Sequence, residues 1–198
     1  MRYVSCSRFD ANRLSIVEND DKSRKILKYN YLNFGMQDLR LALDKDCYLK
    51  SGGLFKEKYQ NVETWRHSIA LNLDLQLEGH QKMYKTLKSI YKMVTRIENE
   101  KEINFPLSKT DNSSHVLYCR IVEGKDGTIY TSCTDKEKEK IDLKTLGPCF
   151  ARPMLSFSYP ITNLNHYNIK ITIAEMVIDS IIEKDNSILD ENQDEPEI

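Results

Sequence analysis

The chain has little of what punctuates, staples or arms a protein. Seven glycines, five prolines and one tryptophan are spread over 198 residues. No GxGxxG or GxxxxGK[ST] run occurs, which removes the glycine-rich loops that hold nucleotide phosphates. There is no HExxH and no CxxC, and His67, His80, His115 and His166 have no metal-ligand spacing, so neither a metal nor any other cofactor is expected. Cys6, Cys47, Cys119, Cys133 and Cys149 are odd in number and widely scattered, a pattern of reduced thiols that predicts an intracellular protein. No apolar run approaches the roughly 20 residues of a membrane helix. Residues 1–20 lack the unbroken apolar stretch of a secretory signal, so no membrane association is expected. Cys119 alternates with apolar residues and reads as packed, not nucleophilic. Asp74 and Glu78 straddle a strand-to-helix junction, where Glu78 suits the helix N-terminus better than a metal. The residues point away from an enzyme.

Net charge is also small, at −1, but it is unevenly divided. From Glu183 onward seven acids face one lysine, giving −6 and leaving +5 on residues 1–182. A basic body with an acidic end is the arrangement of a protein that meets polyanions. The acidic end also serves solubility.

Two hydrophobic periods are present. Residues 150–159 alternate, with Leu155 and Phe157 on one face and Met154, Ser156 and Ser158 on the other. Ile169, Ile171 and Ile173 continue the theme, and the apolar set then changes parity to Met176 and Ile178. That change predicts a bulge near Ala174 or Glu175 and a strongly bent strand. Trp65 to Leu75 is the clearest strand, with Ile69, Leu71, Leu73 and Leu75 inward. From Glu78 to Ile97 the period lengthens, and Met83, Leu87, Ile90, Tyr91, Val94 and Ile97 form the stripe of one long helix. Residues 25–32 and 38–43 read as a hairpin with Leu39, Leu41 and Leu43 inward. Ser51-Gly52-Gly53 reads as the opening of a flexible loop, and residues 115–122 and 128–133 as a hairpin around Gly124–Gly127.

The order predicts an α+β, mainly antiparallel protein, an OB-fold-like curved barrel with one long helix. Three parts are expected: an irregular arm over 1–24, a nucleic-acid-binding barrel over 25–182, and a disordered acidic tail over 183–198.

A binding surface follows from strand parity. Opposite Leu117, Cys119 and Ile121 stand Tyr118 and Arg120, and Tyr130 points outward if Ile129 points in. Aromatic rings beside cations on the polar face of a curved sheet suit stacking of unpaired bases, which tolerates any sequence. Exposed tyrosines also pair across strands with no ligand. Arg40, Lys56, Lys58, Arg66 and Arg152 extend the cationic track. Trp65 shares parity with Ile69, which favours the core, yet its place at the strand start beside Arg66 suits an exposed rim.

The strand SIALNLDLQL, the helix HQKMYKTLKSIYKMV, the hairpin, the segment MLSFSYPITNLNHYNIKITIAEMVID and the acidic end together resemble single-stranded DNA-binding proteins of DNA viruses. The likeness covers roughly residues 65–198 and is to the poxvirus type and its relatives in large DNA viruses, more distantly to the replication protein of T7-like phages. It implies an OB-fold that coats single strands during viral DNA replication, repair or recombination, at replication sites in the host cytoplasm or nucleus. It further implies an acidic tail that recruits replication proteins and competes with DNA. Residues 1–50 match poorly, which leaves homo-oligomerisation open. An RNA-binding OB protein and a viral scaffold without nucleic-acid binding are the alternatives, since stacking and phosphate contacts serve DNA and RNA alike.

Overall fold

The computed structural model describes residues 2–18, 24–59, 62–97, 102–111, 113–163 and 166–182. Five strands form a ring: β1 (Leu49–Tyr59), β2 (Val62–Asp74), β3 (Ser114–Ile121), β4 (Cys149–Asn163) and β5 (Lys170–Ile181). The ladders run β1–β2–β3–β5–β4 and return from β4 to β1. Every pairing in the ring is antiparallel except β3–β5, which is parallel through Arg120↔Thr172 and Ile121↔Ile173. This is a closed OB-type barrel, as the alternating segments predict.

The barrel interior is set by period two. Ile69, Leu71 and Leu73 of β2, Leu117 and Cys119 of β3, Leu155 of β4 and Ile173 of β5 are wholly removed from solvent. Each large aliphatic side chain buried this way contributes about 1.5–3 kcal/mol. The expected bulge in β5 is present. Met154 pairs with Glu175 and Leu155 with Ile173, so Ala174 is passed over and the buried set shifts to Met176 and Ile178. A second shift passes over Asp179, and the two irregularities bend β5 around the ring.

The one α-helix among the described residues, α1 (Glu78–Ile97), follows β2 and packs against it. Met83, Leu87, Ile90 and Val94 are fully buried, one face of the 3.6-residue period. His80 fixes its start: Nδ1 accepts from the Asp74 amide and Nε2 donates to the Tyr48 carbonyl, each at 2.9 Å. Both partners are backbone groups, so they select one neutral tautomer and tie the helix to the end of β2.

Four expectations are corrected. Within 1–24, the described residues are not an irregular arm. Val4–Ser5 runs parallel to Arg40–Ala42, and Leu14–Glu18 pairs with Arg24–Tyr31, while Val4, Cys6 and Leu14 are buried. Strands of two and five residues are too short to show a readable period. Residues 51–59 are the body of β1, not a flexible loop. The register jumps from Ser51↔Leu71 to Leu54↔Ile69, placing Gly52 and Gly53 as a bulge across from Ala70. Gly53 has φ +90°, and a Cβ there would lie 2.9 Å from the Leu146 carbonyl oxygen, so only glycine fits.

The hairpin over 115–133 is the third. The turn forms, with Gly124 N–H donating to Thr128 O at 2.9 Å and a bridge Glu123↔Ile129. Beyond Val122, whose carbonyl accepts from the Tyr130 amide at 2.7 Å, the pairing stops, because the edge of β3 is taken by β5. Thr131 Oγ1 instead donates to Ile173 O, and Ser132–Thr134 pairs in parallel with Glu175–Val177. Likewise Arg24–Tyr31 pairs with Gly35–Asp38 as a hairpin, but Arg40–Ala42 leaves it to join β4. The acidic segment 183–198 lies outside the described residues.

Candidate nucleic-acid interface

The outer face of β1–β2–β3 is built in rows across the sheet. Lys50, Asn72 and Val116 form one row, and Phe55, Ser68 and Arg120 another. Between them Tyr118 stands opposite Ala70, and the glycine bulge of β1 continues that row. Ala70 and Gly52 make a low floor, with nothing within 4 Å of the place a Gly52 Cβ would occupy. Two rings overlook it, Phe55 at 39% and Tyr118 at 44% exposure. A base has room to lie flat on such a floor, and stacking on one ring is worth about 1–3 kcal/mol.

The charges form a cluster at one side of this floor. Arg120 Nε and Nη2 donate to the two carboxylate oxygens of Glu57 at 2.7 and 2.8 Å. Ser68 Oγ donates to the same carboxylate at 2.6 Å. Burial pushes the Glu57 carboxyl up, but these donors and the nearby Arg66 hold it below its ordinary value. Lys170, on the adjacent outer edge of β5, is pushed down by burial and then by Arg120 and Arg66. Among the described residues, Arg66, Arg120 and Lys170 thus lie near the Glu57 carboxylate. The bidentate Arg120–Glu57 pair keeps the guanidinium in a fixed plane, with its outer face open to a phosphate or a base.

Tyr130 stands at the end of β3. Its amide donates to Val122 O at 2.7 Å and its ring is 63% exposed, beside the exposed Val122. Glu123 anchors this turn to β2, accepting from the His67 amide at 2.5 Å and lying 2.8 Å from His67 Nδ1.

Of the residues expected to bind, the structure brings Tyr118, Arg120 and Arg66 onto one face, with Tyr130 at its end. It does not bring the others there. Arg40 lies in the strand on β4, where its amide donates to Tyr31 Oη at 3.1 Å. Lys56 pairs with His67 and so points to the opposite side of β1 from Phe55. Arg152 sits on the outer side of β4, its guanidinium 5.8 Å from the Tyr48 ring centre. The side chains of Lys58 and Trp65 lie outside the described residues.

Sequence reasoning missed Phe55, Lys50, Lys170 and the glycine–alanine floor. A pair of glycines inside an alternating segment is a bulge signal as well as a loop signal, and that reading would have placed Phe55 on the outer face.

No protein-family model and no curated protein matches the chain. Among solved structures, the single-stranded DNA-binding protein gp2.5 encoded by bacteriophage T7 superposes with a TM-score of 0.48 and 10% identity, covering 77% of this chain and 99% of that one. The single-stranded DNA-binding protein of bacteriophage Enc34 in complex with single-stranded DNA gives 0.47 and 10%, over 88% of this chain and 99% of that one. Its C-terminal truncation gives 0.48 and 10%, over 86% and 96% respectively.

Proposed function

We propose that this chain binds single-stranded DNA without sequence preference, as a coating protein and not an enzyme. The observation that carries the reading is the outer face of β1–β2–β3: exposed Phe55 and Tyr118 over a floor of Gly52 and Ala70, with Arg120 held in plane by Glu57 and Arg66 and Lys170 nearby. Strand faces of this kind in OB barrels take unpaired bases by stacking and backbone phosphates by charge. A duplex stacks its bases internally and presents no free base face to such a floor. The role in viral DNA replication, repair or recombination, the poxvirus-type kinship, the intracellular setting and recruitment of replication proteins by the acidic end belong to this proposal and rest on the sequence resemblance.

The test is fluorescence anisotropy with oligo-dT, the matching RNA and a duplex at several salt concentrations. Binding to oligo-dT is expected to exceed that to duplex and to fall with salt at a log–log slope of about −0.7 per phosphate contacted. Equal affinity for duplex, or a slope near zero, removes the reading. Tighter binding of RNA than of DNA moves it to the RNA alternative.

A further inference from the structure

On the far side of the barrel the N-terminal extension folds over β4 and β5 and leaves a cleft of about 1240 Å³. Its floor includes Ala42, Met154 and Val177, and its walls come from residues 2–13, 29–34 and 42–45. Pockets for small molecules run to roughly 300–1,000 Å³, so the size fits a longer ligand. Six cations line it, Arg2, Arg8, Arg13, Lys45, Lys82 and Arg152, against two acids, Asp44 and Glu175.

One acid is engaged within the fold: Asp44 Oδ1 accepts from the Ser7 amide and hydroxyl. Lys82 is likewise engaged, 2.8 Å from Glu78. The remaining five cations outnumber the remaining acid, and Arg8 and Lys45 are exposed.

Rings accompany the charge. Phe34 and Tyr3 are both more than half exposed, and the Arg2 guanidinium stacks 3.2 Å from the Phe34 ring centre. Arg13 lies 5.5 Å from the ring centre of Tyr29, which is buried and serves as a wall, not as a stacking platform. An acidic peptide needs the cations and has no use for exposed ring faces. A single strand uses both, phosphates on the arginines and bases on the rings.

We infer that the cleft between the N-terminal extension and β4–β5 is a second single-strand binding surface, which engages DNA running past the barrel face. The inference takes the chemical class of its ligand from the function proposed above, but its residues are separate. It predicts that affinity depends on oligonucleotide length through Arg8, Lys45 and Phe34.

Full-length protein carrying Arg8→Glu with Lys45→Glu, and separately Phe34→Ala, is titrated with oligo-dT of about 8 and about 30 nucleotides, short and long relative to one OB site. Thermal melts verify folding, and Phe34→Ala covers the case in which the charge reversals do not fold. Both variants are expected to bind the short strand as wild type. The double charge reversal is expected to bind the long strand roughly tenfold more weakly at low salt, with a shallower salt slope. Unchanged long-strand binding in both variants overturns the inference. Equal loss on short and long strands overturns it as well, because the residues then act on the barrel face. So does poly-glutamate binding wild type more tightly than oligo-dT of equal charge, with that preference lost in the charge-reversed protein, which makes the occupant an acidic peptide. The two readings fail separately: Tyr118→Ala that leaves short-strand binding intact removes the barrel face and not the cleft.

Discussion

The barrel face and the extension cleft are both cationic and both show aromatic rings, yet they are built on different terms. On the face, Arg120 is held by Glu57 in a two-point contact, and the rings stand over backbone and a methyl group. In the cleft, cations outnumber acids six to two among the lining residues, and the Phe34 ring already carries Arg2 on one side. The face is a shaped surface with its charge partly neutralised, so contact dominates there. The cleft is a charged surface with less shape, so Coulomb attraction dominates. Salt therefore separates them: screening over about 10 Å at 0.1 M ionic strength weakens exposed charges and leaves stacking nearly untouched.

The sharpest way to break this contrast is at Tyr118. Tyr118→Ala is expected to lose about 1–3 kcal/mol of oligo-dT binding at all salt concentrations, with an unchanged melting temperature. Isothermal titration at low and high salt checks it. A loss confined to low salt makes the face electrostatic after all and collapses the distinction.

Glu57 sharpens the contrast from the other side. Replacing it by glutamine releases Arg120 and makes the face resemble the cleft, so binding is expected to tighten at low salt and become more salt-dependent. Because the folded carboxyl sits below its ordinary value, its stabilising contribution is present above the unfolded pKa and is lost as pH falls through the folded one. Wild type is therefore expected to exceed Glu57→Gln by about 1 kcal/mol at neutral pH, after allowance for solvent screening of a partly exposed pair. Urea denaturation at descending pH should show the two proteins converging below the usual carboxylate range. A gap that widens on acidification contradicts the assignment.

The smallest effect is expected from the acidic end. Removing 183–198 takes formal charge from −1 to +5. Long-strand affinity is expected to rise modestly at low salt and to match the full chain at moderate salt, and the melting temperature to hold. Unchanged affinity at low salt removes competition by the acidic end.

The parts legible in the sequence were those with long, clean periods. The 20-residue helix, the alternation of β2 and the parity change in β5 each repeat their pattern often enough to be read, and each is found in place. Tyr118 followed from the same parity. What escaped depends on which strand meets which. Arg120 faces Glu57 across 63 residues of chain, and nothing local to either announces the pair. Arg40, Lys56 and Arg152 have suitable chemistry, but their strands turn it to other sides of the ring. The Val4–Ser5 pairing rests on two residues whose partner is Leu41–Ala42, too short a signal to see.

The parallel join between β3 and β5 also governs how the molecule comes together. Those strands meet through Arg120↔Thr172, about fifty residues apart, and β5 also zips along most of β4. Until β5 has been made, the end of β3 beyond the stretch paired with Leu107–Lys109 and one edge of β4 lack their partner, and the ring stays open. Closure by so distant a strand raises contact order, and folding is expected to be slow for a domain of this size. During synthesis the open sheet exposes just those edges that invite pairing with another chain. The glycine-bulged, lysine-bearing β1 and the helix packed on β2 leave less flat sheet exposed while the chain waits for its last barrel strand.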